Sequence, residues 1–112
     1  MIQATIRMTI SPQKRGEALK ILRSIAEQCR DYPGCIRAHI YGDLQEKNVL
    51  MLEEVWRAEE DLDVHIRSEE YRNLLLVLEM ATKQPEIRFD TITSSTGIET
   101  IEKVRNHARR IY

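Results

Sequence analysis

Three side chains of different chemistry stand close together in the stretch LEEVWRAEEDLDVHIRSEEY, residues 52–71. Glu54 offers a carboxylate, Trp56 the single indole of the chain, and His65 an imidazole. A carboxylate orienting an imidazole beside an indole, in a partly apolar hollow, can hold a small aromatic acid or phenol and take its proton. The same Glu–His contact can also simply tie a helix to a sheet, with the tryptophan as packing. Glu53 cannot join Glu54, because successive strand residues point to opposite faces. That excludes glycoside hydrolysis by paired carboxylates, which must converge on one bond.

Other reactive residues are dispersed. Cys29 and Cys35 show neither a disulfide framework nor a metal-ligand spacing, and read as reduced packing residues. His39 shares a strand face with Arg37 and Tyr41, where a dimer interface is expected, and His107 falls in a basic tail. The three histidines are too scattered to assemble a metal site, so no metal is expected. No Gly-rich phosphate loop, P-loop or nucleophile elbow is present. No cofactor is expected either.

The elements that must position these groups are legible from periodicity. IQATIRMTI alternates, with Ile2, Ala4, Ile6, Met8 and Ile10 on one face, so a half-buried strand is expected. Ser11 and Pro12 then suit a helix start, and Ala18, Ile21, Leu22, Ile25 and Cys29 follow at helical spacing. Pro33 and Gly34 make a turn. A second strand is expected from Cys35 to Tyr41, with Ile36, Ala38 and Ile40 on one face. The polar GDLQEKN leads into a third strand, VLMLEEVW. There Leu50, Leu52, Glu54 and Trp56 share one side, and Val49, Met51, Glu53 and Val55 the other.

Helical pattern runs from about residue 58 to Thr82, broken where Ser68 can cap a second helix whose stripe is Tyr71, Leu74, Leu75 and Leu78. EIRFDTITS reads as a fourth strand. Beyond Gly97, Ile98, Ile101, Val104, Ala108 and Ile111 lie near one face of a C-terminal helix, docked on its own subunit or on a partner. The order implies an α+β ferredoxin-like sandwich with a four-stranded antiparallel sheet. The expected division is residues 1–96 as one domain and 97–112 as a helical extension. In that topology Val49, Met51 and Val55 lie on the sheet face away from the helices. A second copy of the sheet is their simplest cover, which predicts a homodimer through sheet faces.

Composition bounds the rest. The 112 residues fit one domain, and 42% apolar with 31% charged content is globular. A formal net charge of −1 argues against a nucleic-acid or anionic-membrane partner. No apolar run approaches a bilayer span, and the alternating N-terminus lacks a signal-peptide core, so the chain is expected to be cytoplasmic.

Glu54-Val55-Trp56, with His65 nine residues after the tryptophan and then SEEY, resembles the antibiotic biosynthesis monooxygenase (ABM) family. The YPGC turn at 32–35, after a helix opened by SPQKRGE, is similar too. The resemblance spans roughly residues 1–93. It implies a dimeric α+β barrel with a pocket between sheet and helices in each subunit. Some members are cofactor-independent monooxygenases that oxidise phenols or quinols, the deprotonated substrate passing an electron to dioxygen. Trp56 matches a pocket tryptophan of polyketide-oxidising members. Their pocket asparagine falls at Leu52 and their pocket tyrosine at Leu62, a departure from that pattern.

The haem-degrading branch needs a histidine and an asparagine at about Leu75 and Ile6, and is thereby rejected. A branch acting on phosphorylated signalling molecules would need a clamp that Arg67, Arg72 and Arg88 alone could supply. The resulting expectation is a monooxygenase for a small electron-rich aromatic. His65 is the expected base, Glu54 its orienting group, and Trp56 the stacking wall. Leu52, Leu62, Leu75 and Ile6 are expected to line the pocket. A non-redox binding or isomerising protein and a purely structural dimer are the alternatives.

Overall fold

A computed structural model describes residues 1–106. Four strands, β1 (Ile2–Thr9), β2 (Cys35–Gly42), β3 (Val49–Trp56) and β4 (Glu86–Thr91), form one antiparallel sheet in the order β2-β3-β1-β4. The helices are α1 (Pro12–Cys29), α2 (Glu59–Ile66), α3 (Tyr71–Glu79) and α4 (Ile98–Arg105). This is the ferredoxin-like α+β sandwich that the element order implies. Among the described residues, no helix is long and apolar enough to cross a membrane.

Register carries the alternation of β1 across the sheet. Ala4 pairs Glu54, Ile6 pairs Leu52, and Ile2 pairs Trp56. These residues therefore share the face beneath the helices, and all are buried. α1 lays Ala18, Leu22, Ile25 and Cys29 onto that face and packs on β2, β3 and α3. Pro12 stands at its first turn, where its missing N–H costs nothing, and the Ser11 hydroxyl makes no capping bond.

The structure departs from the sequence expectations at several points. A bulge between Cys35 and Arg37 shifts β2 by one residue. Cys35 packs against the core in place of Ile36, which is exposed. Ser68 does not open α3. Its hydroxyl donates to the His65 carbonyl at 2.6 Å and closes α2 instead. The break at residues 67–70 resets the helical phase, so α3 buries Leu74 and Val77, and Leu75 points outward at 49% exposed.

On the other sheet face, Val49 and Val55 are already buried within the single chain, contrary to the expected exposure. A polar relay crosses that face, with Gln3 Nε2 donating to Glu53 at 3.1 Å and Arg37 Nε donating to Glu53 at 3.2 Å. α4 leaves its apolar stripe open, Val104 being 78% exposed. His107, Ala108, Arg109, Arg110 and Ile111 lie outside the described residues.

The turn before β2 is held by one glycine. Gly34 adopts φ 89°, and its carbonyl accepts the Arg57 N–H at 2.7 Å. A Cβ there would lie 2.3 Å from the Asp61 carboxylate and 2.9 Å from the Asp61 Cβ. Gly34→Ala should therefore destabilise the fold by roughly 1–3 kcal/mol, measurable by urea unfolding. Asp61→Ala should return only part of that loss, because the backbone strain remains.

Candidate functional site

Glu54, Trp56 and His65 are brought together, and Cys29 joins them. β3 supplies Glu54 and Trp56 from one face. α2 supplies His65, and the last residue of α1 supplies Cys29. The Trp56 indole N–H donates to Glu54 Oε1 at 3.0 Å. His65 Nε2 lies 3.1 Å from Glu54 Oε2, and the Cys29 thiol donates to the same oxygen at 3.2 Å. The Cys29 sulfur is also 3.3 Å from His65 Nε2. Glu54 thus has polar partners on both oxygens in an apolar setting. Burial pushes its carboxyl up, but the contacts from His65, Trp56 and Cys29 outweigh this and hold it below the usual range. Burial, then the Glu54 charge, pushes the Cys29 thiol far up.

Aromatic rings close the cluster. The indole of Trp56 stacks on the His65 ring with centroids 5.0 Å apart and planes at 28°. Tyr71 meets His65 edge-on at 5.2 Å, and Tyr32 does so at 5.5 Å. The Tyr32 hydroxyl donates to Glu70, strapping the α2–α3 turn across the group. Burial and the Glu54 charge push the Tyr71 hydroxyl up to about 12.

Trp56 and His65 are fully buried, and Glu54 nearly so.

Open space lies beside the cluster. A groove of about 280 Å³ runs between α2 and β4, walled by Ile2, Leu62, Ile66 and Phe89, with Glu59, Asp63 and Thr91 at its margin. It exists because the helices cover β2, β3 and β1 but leave edge strand β4 largely bare, Phe89 being 48% exposed. Phe89 is paired with Ala4 in register, so it faces the helix side, yet it is half-exposed.

Of the expected pocket residues, Leu62 lines the groove. Leu52 and Ile6 are paired and buried in the core, and Leu75 faces outward. Sequence reasoning missed Cys29, Asp63 and Phe89. The available signal for Cys29 was its place on the apolar stripe of α1, which must face the sheet.

The fold defines an α+β sandwich with all its main helices on one sheet face, and the comparisons refine this. The family model for antibiotic biosynthesis monooxygenase matches residues 1–75, and the chain belongs to that family. A conserved protein from Methanosarcina mazei Go1 is 29% identical, with a TM-score of 0.75 over 80% of this chain and 89% of that one. Rv0793 from Mycobacterium tuberculosis is 21% identical, with a TM-score of 0.77 over 86% of this chain and 98% of the other, and shares the fold. An uncharacterized Synechocystis protein, sll1783, is 34% identical over 59 residues, which are 53% of this chain. Those matched residues span 40% of that relative's length.

Proposed function

We propose that the protein binds a small electron-rich aromatic, such as a quinol or an anthrone-like phenol, in the groove between α2 and β4 and oxidises it with dioxygen. The observation carrying this reading is an apolar groove with carboxylates at its margin, in a chain of this family. A phenolic hydroxyl seated against Leu62 and Phe89 would donate to Asp63, the half-buried carboxylate on the groove side of α2. Deprotonation makes the ring a better one-electron donor. For a methylene flanked by rings, the two hydrogens leave, one oxygen atom forms the new carbonyl, and the other departs with those hydrogens as water. The substrate supplies all four electrons that dioxygen takes up, so no further reductant enters the balance.

In this reading Trp56, His65 and Glu54 are positioning residues. They fix β3 against α2 behind the groove wall rather than touch the substrate. The chemistry belongs to residues 1–96, with 97–112 as an extension, and the working unit is a homodimer. Light scattering at micromolar concentration checks the last point.

The test is oxygen uptake by the full chain with a panel of quinols and anthrone-like phenols, run beside a thermal shift with each compound. Uptake that tracks enzyme concentration is the expected result. Stabilisation by several panel members with no oxygen consumed would favour the binding-only alternative. Neither response from any compound would remove the groove from consideration as a ligand site.

A further inference from the structure

We propose that Cys29, Glu54 and His65 form a binding site for one divalent transition ion of the zinc class, buried where α1, β3 and α2 meet. Three potential donor atoms, a sulfur, an oxygen and an imidazole nitrogen, form a nearly equilateral triangle with sides of 3.2, 3.3 and 3.1 Å. Hydrogen bonding accounts poorly for that shape. A thiol and a neutral imidazole bring one polar hydrogen each, so at most two of the three sides can hold one. Both donors also crowd onto one oxygen. The angle between them at Glu54 Oε2 is roughly 60°, whereas the lone pairs of a carboxylate oxygen diverge by about 120°.

A metal ion resolves both problems. Tetrahedral zinc, with bonds of about 2.3 Å to sulfur and about 2.0–2.1 Å to nitrogen and oxygen, sets its ligands roughly 3.3–3.6 Å apart. Shifts of a few tenths of an ångström bring the triangle into that range. The mixed set of thiolate, imidazole and carboxylate suits zinc and its borderline neighbours rather than magnesium or calcium. Charge agrees as well. A thiolate, a carboxylate and a doubly charged cation sum to zero, which suits a site where all three side chains are buried. The second oxygen of Glu54 is already held by the Trp56 indole, which orients the carboxylate and leaves Oε2 free for the ion.

The three donors come from separate elements and converge only in the folded chain, so binding energy becomes folding energy. None of the three lines the groove. Metal content and aromatic oxidation can therefore fail independently.

The test uses untagged full-length protein, refolded with zinc or cobalt(II) and desalted. About one ion per chain should remain, with a thermal midpoint raised by roughly 5 °C or more over metal-free protein. The cobalt form should show thiolate-to-cobalt absorption in the near ultraviolet and strong tetrahedral visible bands. Cys29→Ser should lose the ultraviolet band, and Cys35→Ser should keep it. If Cys29→Ser does not fold, the wild-type midpoint with and without zinc decides. An unchanged midpoint and no thiolate band after refolding with either ion would overturn the site. So would a band that survives Cys29→Ser and vanishes in Cys35→Ser.

Discussion

Replacing Glu54 by alanine is expected to cost roughly 3–5 kcal/mol of folding stability, the range for removing one partner from a buried polar cluster. The reason is the company left behind. The Trp56 indole N–H loses its acceptor at 3.0 Å, and His65 and Cys29 lose theirs at 3.1 and 3.2 Å. All three are fully buried, and Tyr32 and Tyr71 stand edge-on to the His65 ring, so water has no ready access to replace the lost acceptor. Glu54→Gln should be milder, at about 1–3 kcal/mol. It keeps a carbonyl for the indole but turns an amide toward groups that also donate. Guanidinium unfolding followed by Trp56 emission gives both values. An alanine variant within about 1 kcal/mol of wild type would contradict the picture of a closed cluster.

Thr91→Trp should act in the opposite way, leaving stability near wild type while reducing turnover or affinity about 100-fold. Thr91 is exposed on edge strand β4, pairs Ile2 in register, and borders the groove. An indole there fills much of a 280 Å³ space without entering the core. Aromatic residues are also well tolerated in strands. Asp63→Asn separates binding from chemistry. It keeps a hydrogen-bonding group of the same shape but removes the base, so kcat should fall by roughly 10²-fold with KM little changed. The contrast with Glu54 is the point of the pair: cluster variants act on folding first, groove variants on the reaction first. If Asp63→Asn retained full activity while His65→Ala abolished it in a folded protein, the base would have to be reassigned to the cluster.

Much of the architecture was legible because a periodic pattern fixes which face each residue joins. The alternation of IQATIRMTI set Ile2, Ala4, Ile6 and Met8 on one side of β1, and the structure buries all four. Glu54 and Trp56 had to share a face of β3, and Glu53 had to leave it, by the same period of two. The features that escaped depend on one-residue events. The bulge after Cys35 exchanged Ile36 for Cys35 at the core, and no residue type there announces a bulge. Ser68 can serve a helix start or a helix end equally well. The Leu74-Leu75-Leu76 run offers three phases, and only the observed position of α3 selects one.

By itself the sequence determined the order of elements, the faces of β1 and β3, and the family to which the chain belongs. Tertiary structure decided which side-chain ends meet. Cys29 reaches Glu54 because α1 ends over β3, and a groove opens beside Leu62 because the helices stop short of β4. Periodicity is a local property of the backbone, whereas the crossing of helices over a twisted sheet is set by packing of the whole core. A residue's face can therefore be read along the chain, but its partner from another element cannot.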